Sequence, residues 1–127
     1  MSKYHNKRLV SCDGTVHDSH KEAMRYGWLK VMERAGEIRD LKTQVSFELI
    51  PTQREASNEV YKVGDKKGQL KPGKVIEKSV TYIADFVYTD VKTGKQVVED
   101  TKGFKTKDYI IKRKLMLYIH GIRIKEV

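Results

Sequence analysis

Two strand-like stretches joined by a short polar turn, "VTYIADFVY" (residues 80–88) and "QVVEDTK" (residues 96–102), restrict the fold of this chain more than any other feature. Both are rich in the β-branched and aromatic residues that favour strands. The first is apolar at consecutive positions rather than alternate ones, as expected of a strand covered on both faces. A sheet built around it needs a helix on each side, which is an α/β arrangement. Within these stretches stand Asp85, Glu99 and Asp100. Charge inside a central strand is costly unless it is paired or bound to a cation.

The remaining chain supplies the expected partners. "RLVSCDGTVHDS" reads as a short hairpin over residues 8–18 with Asp13-Gly14 as its turn. A helix is expected from about Ser19, where Ser19 and Glu22 form a capping-box pattern. Met24, Trp28, Val31 and Ala35 recur at helical spacing, and Gly36 stands where the helix would end. Val45, Phe47 and Leu49 alternate in a strand opened near Gln44 and stopped by Pro51. Residues 52–79, with three Gly, one Pro and seven basic residues, read as a long excursion, part hairpin and part mobile loop. Thr106 is placed to cap a helix over "KDYIIKRKLMLYIH", Gly121 to end it, and "IRIKEV" to add a last strand. The expected core is thus helix, three strands, helix, strand: a central mixed sheet flanked by helices, with an N-terminal hairpin, in one domain of 127 residues. Residues 1–8 read as a loose basic tail.

Composition bounds the partners. The chain carries 26 Lys and Arg against 17 Asp and Glu, a net charge of +9. Such an excess favours a polyanion, nucleic acid first and an anionic membrane surface second. Cys12 is the only cysteine, so no internal disulfide and no cysteine-based zinc site are expected. The start "MSKYHNKRLV" has no apolar leader segment and no run is long enough to span a bilayer, so a cytosolic location is the expectation. His5, His17, His20 and His120 show no metal-ligand spacing and read as surface or loop residues.

The two strands can be paired on paper in two registers. With Val91–Gly94 as a four-residue loop, Asp90 faces Lys95 and Asp85 falls directly opposite Asp100. With Thr93-Gly94 as a two-residue turn, Asp85 lies opposite Lys102 and diagonal to Asp100. Side chains alternate along a strand, so in both registers Asp85, Asp100 and Lys102 share a face, while Glu99 points the other way. Opposed residues have Cβ atoms about 4.5–5.5 Å apart, where two carboxylates repel unless a cation lies between them. Oxygen ligands of this kind suit Mg²⁺ or Mn²⁺. Gly103 leaves room for close approach of a backbone or a substrate. Acid, acid and ammonium around a divalent ion suit phosphodiester hydrolysis.

Together these motifs resemble the PD-(D/E)XK nuclease superfamily, whose motif is an acid on the second strand and (D/E)-x-K on the third. More narrowly, "SHKEA", "YIADFVY", "VVEDTKG" and "TKDYIIKRKL" resemble a family of small phage and prophage proteins of unassigned role. The resemblance covers roughly residues 16–127 apart from the excursion, although Ala84 replaces the superfamily's proline. It implies a restriction-endonuclease-like core with Asp85 and Asp100 as metal ligands and Lys102 as the catalytic lysine. It further implies a Mg²⁺-dependent endodeoxyribonuclease that leaves a 5′-phosphate and a 3′-hydroxyl. Glu22 shares a helical stripe with Tyr26 and Leu29 directed toward the sheet, and some superfamily members bring a glutamate of this helix to the metal. Its alternative role is the helix cap. Gln44 reads as a substrate contact or as strand-end polarity.

Between Gly103 and Lys125 seven basic residues, among them Lys105, Lys107, Lys112, Arg113 and Lys114, meet a single acid, Asp108. Directly after the acidic hairpin, such a run is expected to hold DNA backbone phosphates, which position a duplex without reading its sequence. Recognition by structure, such as a junction, flap or end, is therefore expected over recognition of a base sequence. The resemblance implies branched DNA such as a Holliday junction, within phage DNA processing in a bacterial host cell. A homodimer is expected, since one site per chain must pair to cut two strands, and the 8–18 hairpin is a candidate for exchange.

Overall fold

The computed structural model describes residues 19–127 in full and, of the residues before them, the backbone of 9–10 and 16–17. Strands β1 (Leu9–Val10) and β2 (Val16–His17) form an antiparallel pair, and the Asp13-Gly14 turn expected between them lies outside the described residues. Helix α1 (His20–Arg34) starts where the Ser19 hydroxyl accepts a hydrogen bond from the Glu22 amide at 3.1 Å. Past its end Gly36 takes φ +80°, the left-handed conformation that a side chain resists.

The central sheet has four strands in the order β3 (Ile38–Ile50), β6 (Val80–Asp90), β7 (Gln96–Asp100), β8 (Lys125–Glu126). The first three are antiparallel neighbours, and β8 returns parallel to β7, so the sheet is mixed as expected. Helix α2 (Lys107–His120) makes that return, capped by the Thr106 hydroxyl and ended by Gly121 at φ +66°. His120 Nε2 lies 2.7 Å from the Glu48 carbonyl oxygen and fastens the end of α2 to β3. Among the described residues no helix is long and apolar enough to cross a membrane.

The two sheet faces bury separate clusters. Tyr26 and Leu29 of α1 pack on Ile38, Phe86 and Tyr88; Tyr109 and Met116 of α2 pack on Leu49, Tyr82, Ala84, Val87 and Val98. Each fully buried Leu or Phe contributes roughly 1.5–3 kcal/mol of hydrophobic stabilisation. The stripe Glu22, Tyr26, Leu29 is the inward face of α1, whereas Met24, Trp28 and Val31, which mark the helix by their spacing, point outward.

Between β3 and β6 the chain leaves the sheet as an arm. Strands β4 (Gln53–Arg54) and β5 (Val75–Glu77) pair antiparallel at its base, and a Val60–Leu70 bridge continues the ladder. The Gly68 amide closes the tip on the Tyr61 carbonyl at 2.9 Å. The hairpin part of the expected excursion is thus present and extends to the tip, held by backbone bonds that composition does not reveal. At Gly73 the two sides pack closely: a Cβ there would lie 1.7 Å from the Glu55 carbonyl oxygen. Gly73→Ala should therefore open the arm, seen as faster amide exchange at Glu55, Tyr61 and Lys71 with the β6 and β7 amides unchanged.

Candidate functional site

The connection between β6 and β7 is the four-residue loop Val91–Gly94, closed by the Asp90 amide on the Lys95 carbonyl at 2.9 Å. This selects the first of the two registers: Phe86 pairs with Glu99, and the next pair outward brings Asp85 opposite Asp100. The antiparallel ladder thus sets two carboxylates against each other.

Both strands are irregular at this level. Ala84 packs on the α2 side and Phe86 on the α1 side, although residues two apart in a regular strand share a face. In β3 the switch falls between Leu41, packed on the α1 side, and Val45, packed on the α2 side. Gln44, which falls opposite Asp85, lies within this switch at φ +53°. Gln44 therefore sits well inside β3, which begins at Ile38, rather than opening the strand. Its side chain donates to Glu22 Oε1 at 2.9 Å, so Glu22, 4 % exposed, has its carboxylate tied to the sheet at the kink.

Asp85 and Asp100 are held by different partners. The Thr101 amide and hydroxyl both donate to Asp85 Oδ2, at 2.9 and 2.8 Å. Asp100, 1 % exposed, accepts the Tyr82 hydroxyl on Oδ2. Its Oδ1 is buried with no hydrogen-bond partner, and the Lys102 ammonium stands 3.5 Å from it. Burial and the adjoining Asp85 carboxyl push the Asp100 carboxyl up to about 7, against the opposing pull of Tyr82 and Lys102. Burial likewise raises the Tyr82 hydroxyl well above its usual value, with the Asp100 hydrogen bond adding to it.

Strand β7 ends at Asp100, so Lys102 belongs to the connector toward α2 rather than to the strand. It reaches Asp100 all the same, with its ammonium 4.6 Å from the Tyr109 ring centroid. A cleft of about 310 Å³ opens beside it, lined by Tyr82, Ile83, Thr106, Tyr109 and Lys112 among others. Asp85, Asp100 and Lys102 are thus brought together, while Glu22 is joined to them through Gln44. Among the described residues no group of three or more His, Cys, Asp or Glu is arranged to hold a metal ion.

The expected phosphate-binding residues divide. Lys105 and Arg113 both lean on Glu126, each at 3.4 Å, an acid that lies just beyond the basic run. Lys107 and Lys114 are exposed, and Lys112 lines the cleft.

Glu99, which the sequence places on the opposite face with a support role at most, is completely buried on the α1 side. Arg25 grips it with two hydrogen bonds, Nε to Oε1 at 2.8 Å and Nη2 to Oε2 at 2.7 Å. The Tyr88 hydroxyl adds a third, and the Lys125 ammonium lies 3.9 Å away. The hydrogen bond to Glu99 raises the already high Arg25 pKa further. Adjacent residues of one strand therefore serve opposite faces: Glu99 anchors α1, and Asp100 meets Tyr82 and Lys102, two residues of the cleft wall.

Fold and site together define a small α/β protein with opposed carboxylates and a lysine at a kinked strand pair. The chain belongs to the DUF1064 family, described as a protein of unknown function, whose model matches residues 1–125. Comparison with curated proteins and with solved structures finds no match.

Proposed function

We propose that this protein is a metal-dependent endodeoxyribonuclease of restriction-endonuclease-like build, acting on branched DNA such as a Holliday junction. One observation carries the reading. Asp100 Oδ1 is buried without a donor, opposite a second carboxylate and 3.5 Å from a lysine ammonium. With one ammonium at ion-pair distance and no hydrogen-bond donor, burial of this oxygen beside a second carboxylate is only partly offset, and a bound cation would offset the rest.

The residues present fit a hard divalent cation, Mg²⁺ or Mn²⁺, held by Asp85 and Asp100. Such a cation, when bound, lowers the pKa of water and offsets phosphate charge. The chain's own groups prepare the rest. Thr101 orients Asp85 and Tyr82 orients Asp100 through the hydrogen bonds they donate. Lys102, steadied over the Tyr109 ring, supplies a positive charge for a non-bridging phosphate oxygen. Glu22 and Gln44 stiffen the kink beside Asp85. Lys107, Lys112 and Lys114 extend the positive surface along α2 toward neighbouring phosphates. The net charge of +9 favours approach of a polyanion. Two chains would pair to cut both strands.

A second reading, a non-catalytic nucleic-acid-binding protein, draws on the protein hydrogen bonds that Asp85 Oδ2 and Asp100 Oδ2 already accept. Cleavage decides between the two. Four-way junction, flap, supercoiled plasmid and linear duplex are each incubated with Mg²⁺ or with EDTA, and the cuts are mapped. Mg²⁺-dependent cuts clustered at the branch point are expected. Binding equal in both buffers with no cut in any substrate would establish the non-catalytic reading instead.

A further inference from the structure

The connector that carries Lys102 from β7 to α2 also carries Phe104, which is 83 % exposed. Single apolar side chains on a surface are ordinary, but the setting of this one is not. Lys102 precedes it, and Lys105 and Lys107 follow. Two residues span at most about 7 Å, so the Phe104 backbone lies within one short step of that of the lysine paired with Asp100. The backbone beside it is open, since a Cβ at Gly103 would meet no atom within 4 Å. On the cleft wall, Ile83 is also exposed. An aromatic ring within a run of cations is the combination that holds single-stranded nucleic acid: the cations follow the backbone while the ring accepts a base of any identity.

We propose that Phe104 is a base-stacking residue that selects DNA carrying an unpaired nucleotide next to the phosphate at Lys102. The inference rests on the endonuclease reading of the same site and adds the substrate feature the site senses. Bases inside a continuous duplex are stacked on both sides and offer the ring no free face. A base released at a branch point or bulge does. Selection then follows from the state of one nucleotide, without any reading of sequence.

Full-length wild-type, Phe104→Ala and Phe104→Trp proteins are titrated in EDTA into DNA carrying one 2-aminopurine, unpaired in a bulge or paired in a duplex. The wild type should change the emission of the unpaired probe. Phe104→Ala should lose that change together with about ten- to a hundredfold in affinity for the bulged DNA. Its affinity for the paired duplex should not move, and Phe104→Trp should behave as wild type. Because Phe104 is exposed, equal melting midpoints for all three proteins are expected. If Phe104→Ala keeps the wild-type signal and affinity, as a protein-docking ring would, or weakens both DNAs equally, stacking is overturned. Cleavage of branched DNA by the wild type in Mg²⁺ would leave the endonuclease reading standing even then. A Phe104-dependent signal from a wild type that never cuts would instead remove the endonuclease reading and keep the stacking.

Discussion

Asp100→Asn protein should fold, bind branched DNA and fail to cut it, with Mg²⁺-dependent cleavage reduced on the order of 100- to 1,000-fold or more. Asparagine keeps an oxygen for the Tyr82 hydroxyl and removes the charge that would face a cation. Stability should move the opposite way from activity. In wild type a carboxyl of 1 % exposure sits beside Asp85 with its Oδ1 lacking a donor. Neutralising it relieves burial of charge and like-charge repulsion, so the metal-free Asn protein should melt above wild type, by ~1 kcal/mol of stability or more. Added Mg²⁺ should raise the melting midpoint of wild type, because a ligand of the folded state stabilises it by mass action. It should leave the Asn protein unmoved. Undiminished cleavage by Asp100→Asn would remove Asp100 from the chemistry.

Arg25→Ala should produce the largest loss of stability. Its guanidinium donates both hydrogen bonds that join α1 to Glu99, and Glu99 has no exposure to water. Removing one partner of a buried pair leaves the other charge buried, at a cost of about 3–5 kcal/mol. The Tyr88 hydroxyl and the more distant Lys125 offset only part of it. The melting midpoint should fall on the order of 10–20 °C. Replacing both partners, as Arg25→Met with Glu99→Leu, should recover most of that loss, since a packed apolar pair needs no counter-charge. A single Arg25→Ala variant that melts with wild type would show that Glu99 is held by Tyr88 and Lys125 alone.

The candidate site was legible in the sequence to the extent that it is local. Asp85 and Asp100 lie on two strands joined by a short loop, with Lys102 two residues past the second, and alternation extended to Lys102 assigns all three to one side. Glu99 could be assigned to the other side by the same rule, but its partner could not be found, because Arg25 is 74 residues away. Only the packing of α1 on the sheet brings them together. Gln44 shows the same limit: glutamine has no special preference for positive φ, so nothing in "TQVSFELI" announces the kink that tethers Glu22. The outward stripe of Met24, Trp28 and Val31 signals the helix, but spacing alone does not say which apolar stripe turns inward.

What the sequence determined by itself is therefore the order of elements and the side of the strand each acid takes. Hydrophobic runs, Ser19, Thr106 and Gly121 act within a few residues of where they stand, and so does strand alternation. Tertiary structure alone decided the register, the kink at Gln44 and the Arg25–Glu99 pair. It also left Asp100 Oδ1 without a donor. Those outcomes depend on which distant surfaces meet, and a buried charge is stable or costly according to the neighbour it meets there.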